Sequence, residues 1–351
     1  MQGTASAGGY HSAMPPLFLP PFLATLPLVA HASGAQLGRA LPLPLCSPQP
    51  TCPWPAESPT AALDLTSIEG PGTNDFHDDL SGLCWNPFQG ALWACRNGPG
   101  GNSKVWKLER DAAGAWRVGT VAGARAEWTG FGDCEALALA RWSEPQMVYC
   151  LEEAGDLVQQ WDLSGATPIL RRTWDLTPHV PAYANGLGLE GLAFVDNISL
   201  AIGGFVDAGG QPRIATQGMG ALCFVGHQNG GHVYVFDLAP AGGFQFVGRY
   251  ATSGTETAEL SFDGGMGMLH VLHGDGVNDI EVVRLSSTPE AGGRRFERVL
   301  TWDYPGSGNE EGWAVQWWPG DCVGGRRQAF MATDDGGRRS LRAFQQFPCG
   351  F

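Results

Sequence analysis

The sequence predicts an all-β fold made of repeated units, and three observations lead to this prediction. The chain of 351 residues is globular in composition, with 43% hydrophobic and only 16% charged residues. Its 51 glycines and 25 prolines supply many turns, whereas long amphipathic helical segments are hard to find. A short pattern also returns along the chain, which is typical of an array of similar units.

The first 59 residues differ in composition from the remainder of the chain. Residues 15–33 form an apolar segment that ends in Ala30, His31 and Ala32, a site of the kind that signal peptidase accepts. Prolines interrupt this segment, so we expect no membrane span. Residues 1–14 contain no Lys or Arg, and a disordered or plastid-type leader is therefore the alternative. We predict a leader, a Pro-rich linker and one β-propeller domain at residues 1–33, 34–59 and 60–351.

Cysteine usage and charge limit the compartment and the partners. Nine cysteines fit an oxidising compartment better than the cytosol, so we expect a secreted or extracytoplasmic protein. Cys84 and Cys134, or Cys95 and Cys150, could pair across neighbouring units, although sequence does not determine connectivity. With a net charge of -14, the chain lacks the basic surface that nucleic acid requires. We expect a monomer whose acidic surface suits cations, or substrates presented with a cation.

Five segments share one pattern, in which a polar lead-in precedes Ser or Glu and then a short apolar strand. The segments are DLSGLCWN (79–86), DCEALALA (133–140), GLEGLAFV (188–195), TAELSFDG (257–264) and NEEGWAVQ (309–316). The aligned positions, spaced by 54, 55, 69 and 52 residues, are Ser81, Glu135, Glu190, Glu259 and Glu311. The longest interval contains GGQPRIATQGMG (209–220), which we interpret as an inserted loop.

Each unit continues with a second strand, which ends in polar residues and a glycine, and with a third strand. A fourth strand is readable in the first four units, for example WRVGTVAG (116–123) and FQFVGRYA (244–251). Four antiparallel strands at this period predict a β-propeller blade. The fifth unit ends after its third strand, and AALDLTSIE (61–69) can cover the open edge. The sequence thus predicts a single five-bladed β-propeller, with a sixth blade around residues 196–232 as the alternative.

The aligned glutamates predict a metal site. The first strand of each blade lines the channel of a propeller, so these carboxylates would face one axis. Carboxylates at close range raise one another's pKa values unless a cation neutralises them, and calcium accepts about six to eight oxygens in flexible geometry. Alternatively, each glutamate only accepts backbone N–H groups or contacts trapped water. The predicted calcium ligands are Glu135, Glu190, Glu259 and Glu311.

A second set of polar residues predicts a ligand-binding rim on the same face, where a small molecule or a glycan could bind. Turns favour such residues for backbone reasons as well. His227 and His273 are the rim residues of a type that titrates near neutrality, so they are the candidates for acid–base catalysis. The predicted rim residues are Asp79, Asp133, Asn185, Glu153, Asp275, Asn309 and Asp334.

These motifs resemble those of a known group of proteins. The segments DLSGLCWNPFQGALWACRNG, DCEALAL, NGLGLEGLAF and NEEGWAV are similar to signatures of the SdiA-regulated (YjiK-like) propellers and of related proteins described as having esterase-like activity of phytase. The resemblance covers residues 76–345. It implies a secreted or periplasmic propeller with calcium in or near the channel, and the family's glutamates fall on Glu135, Glu190 and Glu311. Ala136 and Leu260 stand where the family has glycine. The acidic DDPA-type motif of β-propeller phytases is absent from the sequence, which makes hydrolysis of inositol phosphates doubtful.

Two functions follow from these residues. The first is a calcium-binding propeller whose acidic face binds a ligand or whose ion stabilises the ring. The second is a calcium-dependent hydrolase of a phosphoester, an ester or a lactone, in which the metal polarises the substrate oxygen. The sequence contains neither a GxSxG elbow nor a P-loop, and no nucleophile–base pair is readable, which favours the first function.

Overall fold

The computed structural model describes residues 51–69, 76, 79–98, 103–141, 144–182, 187–274, 276 and 278–350. The predicted all-β class is confirmed, because these residues form 24 strands and a single α-helix of six residues. The predicted leader and most of the predicted linker lie outside the described residues. No helix within the described ranges is long and apolar enough to cross a membrane.

Two short strands, β1 (Cys52–Pro53) and β2 (Leu63–Asp64), precede the repeats. The first unit then contains β3 (Leu80–Asn86), β4 (Ala91–Arg96), β5 (Lys104–Arg110), β6 (Trp116–Val118), β7 (Thr120–Val121), β8 (Ala124–Arg125) and β9 (Glu127–Thr129). The second unit contains β10 (Cys134–Ala138), β11 (Met147–Glu152), β12 (Leu157–Asp162) and β13 (Ile169–Asp175). Consecutive strands pair antiparallel as a meander in both units.

Three further units complete the chain. The third contains β14 (Leu189–Asp196), α1 (Asn197–Ile202), β15 (Ala221–His227), β16 (His232–Leu238) and β17 (Phe244–Ala251). The fourth contains β18 (Glu259–Asp263), β19 (Met268–Leu272), β20 (Ile280–Glu290) and β21 (Gly293–Asp303). The fifth contains β22 (Glu310–Val315), β23 (Arg326–Thr333) and β24 (Leu341–Pro348). Strand β2 pairs antiparallel with β24 through Leu63 and Ala343, and so covers the edge of the last unit.

The units form a ring with an apolar core between neighbours. Each first strand contacts the first strand of the next unit, and β22 contacts β3. Buried apolar clusters lie between consecutive units all the way round, including between the fifth and the first. At that last junction Phe330 stacks on Trp85, with 5.8 Å between ring centroids. Sheets that pack face to face around a centre have the architecture of a β-propeller.

Two details differ from the predicted strands. The fourth position of the first unit is divided, because β5 pairs with β6 at one end and with β9 at the other, and the β7–β8 hairpin lies between them. In the third unit, the long interval contains α1, whose first turn is capped by the side chain of Asp196, followed by a loop up to β15. Residues 196–232 therefore hold a helix, a loop and the second strand of the third unit.

The outer edges of the third and fourth units are joined directly. Strand β17 pairs parallel with β21, with Tyr250 opposite Arg294 and Ala251 opposite Arg295. Strand β1 also pairs parallel with β21, at its far end. The hairpin of β20 and β21 therefore connects two units at their periphery, a feature that the repeat pattern does not predict.

The disulfides correct both suggested cysteine pairs. Cys134 of β10 is bonded to Cys150 of β11 within one unit, with 6.0 Å between their Cα atoms, and Cys322 is bonded to Cys349. Cys84 and Cys95 are free thiols. Because neighbouring antiparallel strands already bring Cys134 and Cys150 together, the bond forms within the second unit and does not cross to the first.

Candidate metal centre

A β-bulge marks the aligned position in four of the five first strands. The pairing register shifts between Leu80 and Leu83, Cys134 and Ala136, Leu189 and Gly191, and Glu310 and Gly312. A bulged residue leaves the hydrogen-bond ladder, and its side chain is re-aimed. The residues within these shifts include Ser81, Glu135, Glu190 and Glu311. In contrast, β18 pairs with β19 in continuous register from Glu259 onwards.

Glycine after the bulge allows neighbouring first strands to approach closely. A Cβ atom on Gly312 would lie 2.1 Å from the carbonyl oxygen of Ser81, and one on Gly191 would lie 2.9 Å from the backbone nitrogen of Leu260. Both distances are shorter than van der Waals contact. Glu259 is instead followed by Leu260, and this difference in sequence accompanies the absence of a register shift in the pairing of β18 with β19.

The bulges bring three of the predicted ligands together. The hydroxyl of Ser81 donates a hydrogen bond to Oε2 of Glu311 at 3.3 Å and also hydrogen-bonds Glu135. Glu190 lies close enough to both Glu135 and Glu311 for their charges to raise its pKa. We name Glu135, Glu190 and Glu311, with Asp133 and Glu153, the channel-mouth carboxylates.

The tightest part of this group belongs to the second unit. Asp133, Glu135 and Glu153 each offer one carboxylate oxygen, and these oxygens all lie within 4.8 Å of one another. Asp133 precedes β10 and Glu153 follows β11, and the backbone N–H of Glu153 donates to the carbonyl of Asp133 at 3.1 Å. The sequence predicts Asp133 and Glu153 as rim residues and Glu135 as a channel ligand, whereas the structure places all three side by side.

Burial and mutual repulsion dominate the electrostatics of the site. Burial, with the nearby charges of Asp133 and Glu153, raises the pKa of Glu135 to about 8. Burial and the charges of Glu135 and Glu311 raise the pKa of Glu190 well above its usual range. Burial also raises the pKa of Glu311, Glu153 and Asp133. The charged neighbours that contribute to these shifts are acids, so a bound cation would relieve them.

A neighbouring amide extends the set of oxygen ligands. Nδ2 of Asn97 donates to Oε1 of Glu135 at 2.6 Å. The Oδ1 atom of Asn97 is buried and has no hydrogen-bond partner within the described part of the chain. Carboxylate and amide oxygens suit calcium, while zinc prefers nitrogen and sulfur. These residues therefore fit a hard divalent cation.

Glu259 differs from the other predicted ligands in its surroundings. Its side chain is fully buried, and Oε1 accepts hydrogen bonds from the backbone N–H groups of Leu192 (3.2 Å) and Leu260 (2.8 Å). Oε2 accepts from the backbone N–H of Leu83 at 3.2 Å. Burial raises the pKa of Glu259 well above its usual range, although these bonds oppose the shift. Glu259 thus links three first strands, the role that the alternative interpretation assigned to every glutamate.

The rim residues divide into those that adjoin the site and those that do not. Nδ2 of Asn309 donates to Oε1 of Glu311 at 2.6 Å and to Oδ2 of Asp334 at 3.2 Å. Asp79 is half-buried, and its carbonyl accepts from the N–H of Asn97 at 2.9 Å. Asn185 and Asp275 lie outside the described residues.

Both candidate histidines are buried and engaged within the fold. Nδ1 of His227 accepts a hydrogen bond from the N–H of Asn229 at 3.0 Å, and Nε2 contacts the carbonyl of Pro181 at 3.3 Å. His273 contacts the carbonyl of Glu256 through Nδ1 at 2.7 Å and the carboxylate of Glu281 through Nε2 at 3.0 Å. Burial lowers the pKa of His227. The acid–base role of both residues stays a prediction.

Comparison with known proteins gives only remote similarity. No model of a known protein family matches the chain, and no curated protein matches it. A solved protein from Lactobacillus plantarum is 13% identical with a TM-score of 0.38, over 64% of this chain and 56% of that protein. The chain thus spans little more than half of that protein's length. A chain of the Mitotic Checkpoint Complex is 12% identical with a TM-score of 0.37, and the match covers 85% of this chain and 95% of that one. A proposed 6-phosphogluconolactonase from Bacteroides fragilis is 10% identical with a TM-score of 0.37, and the match covers 75% of this chain and 83% of that one.

Proposed function

We propose that the chain is a secreted five-bladed β-propeller of the SdiA-regulated (YjiK-like) type that binds one calcium ion at its channel mouth. The ring of contacts among β3, β10, β14, β18 and β22 supports the count of five. The two disulfides of the described residues support an oxidising compartment. The predicted leader at residues 1–33 is part of this proposal.

The observation that carries the metal site is the trio of carboxylate oxygens within 4.8 Å of one another. Asp133, Glu135 and Glu153 would hold the ion, and the Oδ1 atom of Asn97 offers a fourth oxygen. Calcium would supply positive charge to neutralise carboxylates that burial and repulsion otherwise protonate. Because Asn97 belongs to the first unit and the carboxylates to the second, the ion would also connect two blades.

We further propose that this acidic face acts as a ligand-binding or structural module. Asn309 and Asp334 lie beside Glu311 and present amide and carboxylate groups to solvent. A small molecule or a glycan with several hydroxyl groups would suit such a surface, because it can bind the ion and the rim together.

A hydrolase of a phosphoester, an ester or a lactone is the second candidate, and the other channel-mouth carboxylates favour it. Glu190 and Glu311 lie beside the trio without belonging to it, so either carboxylate could act as a general base next to the ion. The metal would polarise the substrate oxygen. Calcium-dependent turnover of a chromogenic phosphate monoester, acetate ester or lactone, lost in Glu135→Gln, would support this function over a purely structural one.

Thermal unfolding tests the metal site. The full chain is stripped with EDTA and melted with and without calcium, as wild type, Glu135→Gln and Glu144→Gln. Calcium at a hundred times its Kd stabilises by about 2.7 kcal/mol, which should raise the Tm of the wild type by roughly 5 °C or more. Glu144 lies in a surface ion pair, so its variant should respond as the wild type does, while Glu135→Gln should lose the response. An unchanged Tm of the wild type would refute the site.

A further inference from the structure

A cavity lies at the periphery, where the third and fourth units join. Its volume is about 180 Å³, close to the volume of six water molecules at about 30 Å³ each. Its walls come from the turn before β16, the end of β17 and the tip of the β20–β21 hairpin. None of the channel-mouth carboxylates lines it. The charged and titratable residues that line it are His232, Arg249, Glu290, Arg294 and Arg295.

The cavity concentrates positive charge in a protein with a net charge of -14. Among the described residues that line it, three are arginines and Glu290 is the single acid. Arg295 donates one hydrogen bond to the carbonyl of Thr252 and another to Oε1 of Glu290, the latter at 2.6 Å. Nη2 of Arg249 donates to the carbonyl of Gly292 at 2.7 Å. A guanidinium has five N–H donors, so both arginines are fixed in position and still have donors to offer.

Glu290 shows that this place favours negative charge. The hydrogen bond from Arg295 lowers the pKa of Glu290, and the charges of Arg295, His232 and Arg249 act in the same direction. All three basic side chains therefore act on a single point beside the cavity. Arg294, in contrast, is turned to Ser287, to which it donates at 2.8 Å and 2.7 Å.

His232 adds a ring N–H donor, and two glycines keep the basic groups close to the backbone. Burial and the nearby Arg249 lower the pKa of His232, and its ring makes no hydrogen bond within the described part of the chain. Gly230 and Gly292 have φ values of +92° and +78°. A Cβ atom on Gly292 would lie 2.3 Å from Nη2 of Arg249, and one on Gly230 would lie 3.1 Å from Nδ1 of His232. Both positions therefore require glycine for conformation and for space.

We propose that this cavity binds a small oxyanion, either free phosphate or the phosphate group of a monoester, held by Arg249, Arg295 and His232. Guanidinium groups recognise phosphate oxygens through parallel, charge-assisted hydrogen bonds, and they do so better than an ammonium group does. The cavity also has room for a substituent on the phosphate. Because its walls belong to two units, the bound anion connects the third unit with the fourth. This site is independent of the calcium site.

Isothermal titration calorimetry tests the proposal on the full chain. The probes are inorganic phosphate and methyl phosphate, with ionic strength held constant by chloride. We expect saturable binding of one anion per chain. Arg249→Gln should weaken it roughly tenfold or more, because hydrogen bonds to a charged group are lost. Glu290→Gln should tighten binding several-fold, because it removes the competing carboxylate from Arg295. Arg171→Gln, at an exposed arginine of the second unit, should bind as the wild type does.

The two cavity variants distinguish a loss of anion binding from a loss of folding. Glu290→Gln changes an exposed side chain and predicts a gain, so a folding defect cannot imitate its result. Stronger binding of methyl phosphate than of inorganic phosphate identifies a monoester as the ligand, and equal or stronger binding of inorganic phosphate identifies the free anion. The proposal is overturned if neither probe binds saturably, or if Arg249→Gln and Glu290→Gln both leave the affinity unchanged.

Discussion

Buried His270 makes the stability of the fold depend on pH. It lies on β19, fully buried, with its ring stacked against Trp313 at a centroid distance of 6.2 Å and edge-on to Trp302 at 5.7 Å. Nδ1 accepts a hydrogen bond from Nε1 of Trp313 at 3.1 Å. Burial lowers the pKa of His270 to about 4, with a smaller opposing effect from Asp263 and a smaller reinforcing one from Arg327.

The direction of the effect follows from this lowered pKa. Between about pH 6.5 and pH 4, a histidine in the unfolded chain binds a proton that native His270 does not bind. The free energy of unfolding therefore falls as the pH falls through this window. The contribution is fully present above pH 6.5 and is lost by pH 4. Its total is about 3 kcal/mol, since each pH unit corresponds to about 1.4 kcal/mol.

Urea unfolding of wild type and His270→Phe at pH 7 and pH 4.5 measures this contribution. At pH 7 the variant should be less stable by about 1–3 kcal/mol, because Nε1 of Trp313 loses its buried acceptor. Between the two pH values the wild type should lose about 2–3 kcal/mol more than the variant, because other groups titrate in both proteins. Equal losses in the two proteins would refute the reasoning.

Three further predictions concern the ring itself. Gly312→Ala places a Cβ atom against the next strand and should lower the free energy of unfolding, measured by urea titration, by about 1–3 kcal/mol. The control Gly320→Ala makes only an ordinary contact at 3.7 Å and should change the free energy of unfolding little. Arg342→Met leaves the buried carboxylate of Glu310 without its partner at 3.0 Å and should lower the free energy of unfolding by about 3–5 kcal/mol. Adding Glu310→Gln to this variant should recover part of the lost stability, and no recovery would argue against the ion pair as the cause. Glu259→Gln should lower the Tm but keep the calcium response, and loss of that response would place this residue among the ligands.

The repeated pattern predicts the strands and their order because short apolar runs and the turn residues that bound them are local properties of sequence. The spacing also predicts that four residues occupy equivalent positions in their units, namely Ser81, Glu135, Glu190 and Glu311. The pattern treated Glu259 as equivalent, although Leu260 stands where the other first strands have a small residue. Because the small residue accompanies the bulge, a glutamate followed by glycine or alanine is a better sign of a channel-mouth ligand than the glutamate alone.

Other features depend on contacts that a periodic pattern does not contain. The parallel pairing of β17 with β21 joins strands from different units, and the peripheral cavity exists only through it. Cys134 and Cys150 are near each other because β10 and β11 are adjacent, which spacing alone does not distinguish from pairing across units. The trio of Asp133, Glu135 and Glu153 likewise requires the bulge in β10 and the turn after β11 to place their oxygens together.

A crystal structure of the protein soaked with calcium, or with terbium as its anomalous substitute, tests the central claim most directly. We expect one strong anomalous peak at the channel mouth, coordinated by oxygens of Asp133, Glu135 and Glu153 and by the side-chain Oδ1 atom of Asn97. The same soak of Glu135→Gln should weaken or remove the peak. Absence of any peak among these residues in the wild type, or a peak held by Glu259 instead, would contradict the account.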